Sequence, residues 1–239
     1  MKEIIVLVLF LLLFLMPARP VSAKEAKPIS LSGNIFEEFC SDVCHPPATA
    51  KFEIQDKNHN IIFTGQTTAK ELGVYTIPNL MPGETYFFAM NDTNYLKNLF
   101  TIIIPFADKY TGYSRDFLIT PKRKGAEILF SVSPFKFRTS KLKDGYNYYA
   151  ERIGELIKQN PKVDFIISCF PDDDKDEKAN MKLTDERCNN LKNYFVALGV
   201  NPERLSLTPN PKTDIMNPPP FFKEAKGRRY NGSTYLIIK

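Results

Sequence analysis

The periodicity of this chain changes once, near residue 125, and that change limits the folds open to it. From residue 28 to residue 120, apolar and polar residues alternate in short runs. Ala50-Lys51-Phe52-Glu53-Ile54 is one such run and Gly73-Val74-Tyr75-Thr76-Ile77 is another. A period of two marks a half-buried strand. Turn-forming stretches such as Asp56-Lys57-Asn58-His59-Asn60 and Met81-Pro82-Gly83-Glu84 punctuate the runs. Short strands so spaced predict an all-β sandwich. The strongest apolar run there, residues 100–106, reads as a buried strand.

After residue 125 the pattern mixes strand-like runs with two helical repeats. Within residues 143–159, Tyr146, Ala150, Ile153 and Ile157 fall on one helix face. Leu183, Cys188, Leu191, Phe195 and Leu198 form a second face that ends at Gly199. Strand-like runs lie at 127–132, 163–168, 204–208 and 233–238. This order predicts an α/β sandwich with the helices on one face of the sheet. A chain of 239 residues is long enough for two domains. Between them, Thr120-Pro121-Lys122-Arg123-Lys124-Gly125 reads as a linker. The expected division is 24–120 for the sandwich, 121–127 for the linker and 128–239 for the α/β domain.

The first residues predict export. Lys2 precedes an uncharged apolar run over residues 4–16, broken by Pro17 and followed by Val21-Ser22-Ala23. That is the three-part pattern of a secretory signal cleaved after Ala23. The run is short for a membrane span, and no later segment reaches that length. A retained anchor is the alternative. The formal charge is +5, with both signs interspersed, which does not make a nucleic-acid footprint.

The order of motifs resembles two known families. Leu31-Ser32-Gly33-Asn34-Ile35, then Gly73-Val74-Tyr75-Thr76-Ile77, then Leu80-Met81-Pro82-Gly83-Glu84-Thr85-Tyr86 is similar to the carboxypeptidase regulatory-like domain, a transthyretin-like β-sandwich. That resemblance implies a spacer or interaction module for other envelope proteins. The second half resembles the OmpA C-terminal-like family. Phe135-Lys136-Phe137-Arg138-Thr139-Ser140-Lys141-Leu142 looks like its opening motif, and Asn180-Met181-Lys182-Leu183-Thr184-Asp185-Glu186-Arg187 its central one. Residues 194–205 and Gly227-Arg228-Arg229 follow in the family's order.

The OmpA-like resemblance implies a peptidoglycan-binding site at Asp172 and Arg187, with the wall's stem peptide as ligand. The chemistry fits such a ligand. A carboxylate accepts from an ammonium while a guanidinium grips a carboxylate through two parallel bonds. Thr184 is expected as the N-cap of the second helix, Arg187 in its first turn, and Asn180 as holder of the incoming loop. No nucleophile, metal or cofactor is needed. The family's usual Gly-His-Thr-Asp is Cys169-Phe170-Pro171-Asp172 here, and Pro209-Asn210-Pro211 replaces its Gly-Tyr-Gly. The expected protein is a periplasmic, non-catalytic wall anchor. Its rival is an adaptor of an envelope complex whose OmpA-like domain has lost wall binding.

Three further features have simpler readings. The run from Asp172 through Glu177 lacks the spacing of a calcium loop and reads as a solvated acidic turn. Cys40-Ser41-Asp42-Val43-Cys44-His45 departs by one residue from a haem attachment motif. Cys40 and Cys44 are read instead as disulfide partners, to each other or elsewhere. Cys169 and Cys188 flank the expected ligand pair, and a bridge between them would hold Asp172 against Arg187.

Overall fold

The computed structural model describes residues 27–38, 45–106, 112–130, 132–219 and 230–239. The expected leader, Cys40 and Cys44, and the Gly227-Arg228-Arg229 motif lie outside those residues.

In the N-terminal region the central strand is β1 (Ile29–Glu37). It pairs antiparallel with β4 (Val74–Leu80) and parallel with β7 (Gly112–Ser114) and then β8 (Phe117–Ile119). Gly33 makes the change from β7 to β8 possible. A Cβ at that position would lie 2.0 Å from the carbonyl oxygen of Arg115, so only a glycine admits the crossing backbone. A second sheet runs β3 (Ile61–Gln66), β2 (Lys51–Gln55), β5 (Thr85–Met90), β6 (Asn98–Ile103), all antiparallel.

The two sheets share one core, in which Leu31, Ile35, Ile54, Ile77, Phe88 and Ile102 are wholly buried. Phe88 stacks on Phe117 at 4.1 Å and on Phe52 at 4.8 Å. The alternation that predicts these strands is what delivers every second side chain to the core. The run at 100–106 is corrected by the same rule. Ile102 and Ile104 are buried, whereas Ile103 points outward and Phe106, beyond the strand end, is 73% exposed.

The C-terminal region has four strands in the order β11 (Leu205–Pro209), β10 (Phe165–Cys169), β12 (Thr234–Ile238), β9 (Glu127–Leu129). Only the β10–β11 pair is parallel. Helices α1 (Asn147–Gln159) and α2 (Glu177–Ala197) supply the rest of its core, through Ala150, Ile157, Cys188, Leu191 and Phe195. Phe165, Ile167, Leu236 and Ile238 meet them from the sheet.

Two expectations about elements need correction. The second helix starts at Glu177, well before Thr184. The Asp176 carboxylate caps it by accepting from the N–H groups of Lys178 and Ala179, each at 3.0 Å. The stretch 121–127 is also no free tether. Pro121 bridges to Tyr95, Lys122 N donates to Asn94 O at 2.7 Å, Gly125 N donates to Ile238 O at 2.8 Å, and Glu127 already belongs to β9. The buried side chain of Asn160, at the end of α1, fixes the seam between the regions. It accepts from Lys97 N at 2.8 Å and donates to Lys97 O at 2.9 Å. One amide side chain thereby satisfies both polar groups of a backbone unit in the other region.

Candidate functional site

Three segments meet at the end of β10. The strand delivers Phe170, Pro171 and Asp172. The buried face of α2 presents Asn180, Thr184 and Arg187 in line with Cys188, Leu191 and Phe195. A turn closed by the Phe135–Leu142 bridge brings in Arg138 and Thr139. Asp172 and Arg187 therefore meet, as their motif implies. The Arg187 Nη1–Asp172 Oδ1 distance is 3.0 Å and Nη2–Oδ2 is 2.7 Å, a bidentate pair.

The pair is closed. Each side chain is 1% exposed. Both Asp172 oxygens also accept a backbone N–H, Oδ2 from Arg138 at 2.6 Å and Oδ1 from Gly232 at 2.7 Å. Arg187 donates further to Thr139 O at 3.0 Å and to Phe170 O at 3.1 Å. Its guanidinium lies 5.1 Å from the centre of the Phe135 ring. Desolvating two charges is costly, and such dense hydrogen bonding is what makes it tolerable. The carboxylate and guanidinium expected to meet a ligand are thus satisfied by the protein's own groups. A cleft of about 340 Å³ opens beside it, lined by Arg138, Asp173, Lys175, Asp176, Asn180 and Leu183.

Asn180 does hold the loop, donating to Asp173 O at 2.6 Å and to Pro211 O at 3.1 Å. Thr184 is not an N-cap. It sits inside α2, and its hydroxyl faces Asn180 O and Asn210 O, each at 2.9 Å. Arg187 is likewise far from the first turn of α2, so the helix N-terminus does not supply charge to this pair.

The acidic run is a set of assigned acceptors rather than a merely solvated turn. Asp173 pairs with Arg138. Burial pushes the Asp173 carboxyl up, but the Arg138 hydrogen bond, the Lys175 N–H and both positive charges outweigh it and hold the group below its ordinary value. Asp174 accepts from the N–H and hydroxyl of Thr213, at 2.6 and 2.7 Å. Asp176 caps α2.

Cys169 and Cys188 are free thiols in this structure, both fully buried, so the expected bridge is not formed. The Cys188 thiol donates to Ile167 O at 3.4 Å. Burial and the neighbouring Cys188 thiol push the Cys169 thiol up. Of the histidines near the haem-like motif, His45 Nδ1 lies 3.3 Å from Glu37 O, and His59 stacks on Phe87 at 4.7 Å.

Gly232 and the buried Asp214 lie outside every motif named above. Gly232 follows Asn231, and Asn-Gly is a turn signal on its own. Asp214 accepts from the Tyr235 hydroxyl, from Met216 N at 2.9 Å and from Asn217 Nδ2 at 3.2 Å. Burial opposes ionisation there, yet these hydrogen bonds win and hold its carboxyl below the ordinary value.

No protein-family model and no curated protein matches this sequence. Among solved structures, the chain is similar to the peptidoglycan-associated lipoprotein from Burkholderia pseudomallei. The identity is 15%, covering 47% of this chain and 89% of that one, with a TM-score of 0.36. It is also similar to the periplasmic domain of Helicobacter pylori MotB (residues 78–256), at 21% identity, 48% and 76% coverage, and a TM-score of 0.37. The shaft pilin SpaA from Lactobacillus rhamnosus GG matches at 12% identity, 43% and 53% coverage, and a TM-score of 0.30. At these levels none of them assigns a ligand to this chain. No helix among the described residues is long and apolar enough to cross a membrane.

Proposed function

We propose that this chain is an exported, non-catalytic protein of the bacterial envelope that works as an adaptor. Residues 24–120 are read as a carboxypeptidase regulatory-like spacer and residues 128–239 as an OmpA-like domain. The leader pattern supports export to the periplasm, and the strand and helix order with its Asp172–Arg187 pair supports the OmpA-like reading. One observation carries the choice of adaptor over wall anchor. The acid and the guanidinium satisfy each other and are 1% exposed, so in this state they offer a stem peptide no free partner. A buried bidentate pair of this kind organises the loops around it.

Co-sedimentation of the mature chain with purified sacculi tests this. The wild type is expected to stay in the supernatant. Sedimentation that an Asp172→Asn variant abolishes without unfolding would restore the wall anchor. That second reading is favoured by the cleft of about 340 Å³ along the Asp172 edge of the pair, with Arg138, Lys175, Asp173 and Asp176 at its rim. It has the mixed charge that a zwitterionic peptide end requires.

A further inference from the structure

The second sheet of the N-terminal region ends in an open edge. β6 is the last strand of the order β3, β2, β5, β6, so among the described residues it pairs on one side only, with β5. Backbone groups along an antiparallel strand point alternately to either side. Two contacts identify the residues that point outward. Arg115 Nη1 donates to Thr101 O at 2.6 Å, and Leu99 N donates to Asn98 Oδ1 at 2.9 Å. Leu99, Thr101 and Ile103 therefore turn their backbone away from β5. Among the described residues, the N–H groups of Thr101 and Ile103 and the carbonyls of Leu99 and Ile103 have no protein partner. Proteins usually block such an edge with charge or proline, yet Asn98-Leu99-Phe100-Thr101-Ile102-Ile103 carries neither. A groove of about 610 Å³ follows the edge. Leu99, Thr101, Ile103 and Arg115 line one wall, and Tyr148 and Arg152 of α1 line the other. Ile103 and Tyr148 are exposed large apolar side chains. Arg152 makes no ion pair among the described residues, while Glu155 on the same wall is paired with Lys158. Arg115 and Arg152 then outnumber Glu151, the remaining acid of the groove.

We infer that the groove between β6 and α1 docks an extended, acidic segment of a partner protein by strand addition. The inference deepens the adaptor reading above and rests on it for the need of a partner. The docked backbone donates to the Leu99 and Ile103 carbonyls and accepts from the Thr101 and Ile103 N–H groups, so the strand edge supplies the affinity. Alternate side chains of the segment then face the α1 wall. Apolar ones lie against Ile103 and Tyr148, and acidic ones meet Arg152. Arg115 keeps its place, because the Thr101 carbonyl oxygen accepts two hydrogen bonds. The helix wall selects the kind of occupant. A single extended segment fits between β6 and α1, whereas α1 stands where the next strands of a whole sheet would have to lie.

The test uses the isotope-labelled mature chain in NMR titrations with two end-blocked hexapeptides, one of alternating valine and glutamate and one of alternating valine and lysine. The glutamate peptide is expected to shift the Thr101 and Ile103 amide signals and to slow their hydrogen exchange. Methylating its backbone nitrogens is expected to abolish both effects, since a methylated amide cannot donate to the edge. Arg152→Glu, at an exposed helix position, is expected to weaken the glutamate peptide about fivefold and to strengthen the lysine peptide by a similar factor. Thr101→Pro removes an outward N–H without touching the β5 ladder and is expected to abolish binding of both peptides. Circular dichroism establishes that each variant folds, and Arg152→Glu decides the matter if Thr101→Pro does not. Equal affinity of the wild type for the two peptides, no change at Thr101 and Ile103, or indifference to Arg152→Glu overturns the groove. So does protection of those amides that grows with protein concentration in the absence of peptide, which would put a second copy on the edge. Each of these outcomes leaves the adaptor reading to the sacculi assay. Asp172-dependent sedimentation with peptide binding intact overturns the adaptor reading alone.

Discussion

The two regions of this molecule hold themselves together by different means. Around β1, the core is almost wholly apolar. Phe52, Phe88 and Phe117 stack through it, and Thr67 and Thr120 are its buried polar residues. The region around α2 buries Asp172, Arg187, Asn180, Thr184, Asp214 and Asn160. Apolar burial is non-directional, so the first region depends on volume and shape. Hydrogen-bonded charges depend on geometry, so the second depends on every partner remaining in place. The lesson is that the residues that look most like a ligand site are also those whose polar groups the second region buries and satisfies internally.

The contrast can be broken by substitution, and the largest effects come first. Arg187→Ala strands the buried Asp172 carboxylate and is expected to cost about 3–5 kcal/mol in urea unfolding. Arg187→Lys is expected to recover little, since an ammonium cannot reproduce the bidentate grip. A cost below about 1 kcal/mol would mean that the pair opens to water and that the closed description is wrong. Phe88→Ala is expected to cost a similar 3–5 kcal/mol by a different route, a cavity between stacked rings. The distinction lies in rescue. Leucine at position 88 is expected to restore part of the loss, whereas leucine at position 187 still leaves Asp172 charged and unpaired.

Asn160→Ala is expected to be smaller, about 1–3 kcal/mol, because it removes the partner of both the N–H and the C=O of Lys97. Its value is diagnostic. If Asn160 couples the regions, calorimetry of the variant shows two transitions where the wild type shows one. A single unchanged transition would show that the seam is held by its other contacts.

The smallest expected effect is a pH dependence of opposite sign in the two regions. Asp214 is held below its ordinary value, so its contribution to stability is present above that value and is lost as pH falls through the lower folded one. Glu38, at the end of β1, is raised, chiefly by burial, against the hydrogen bond from Thr120 and the nearby His45. Its ionised form is disfavoured in the folded state. Acidification through its raised folded value therefore adds stability, until the ordinary value is passed. Acid titration of Asp214→Asn and Glu38→Gln checks both signs. A variant Asp214→Asn as acid-sensitive as the wild type would remove the first assignment.

Much of this was legible in the chain. The strands of the N-terminal region follow from alternation, because a pleated strand turns successive side chains to opposite faces. The meeting of Asp172 with Arg187 was implied as well, by the resemblance to the OmpA C-terminal-like family. The start of α2 was not, because its cap is Asp176 within an acidic run that gives no local contrast, while Thr184 carries the better-looking cap residue. Phe106 misled for a related reason. Hydropathy says what a residue prefers, but the end of β6 at Ile103 leaves Phe106 no sheet to pack on.

By itself, the sequence determined which stretches alternate as strands and which carry the two helical repeats, and the pairing of Asp172 with Arg187 came from resemblance to a family. Local pattern is enough for strands and helices, since they depend on neighbours along the chain. Only the tertiary structure decided that the site is closed. Closure depends on a backbone N–H sixty residues from Asp172, on Gly232, and on the turn at Arg138 and Thr139. Backbone donors have no letter in a sequence, and what they satisfy appears only when distant segments are packed together.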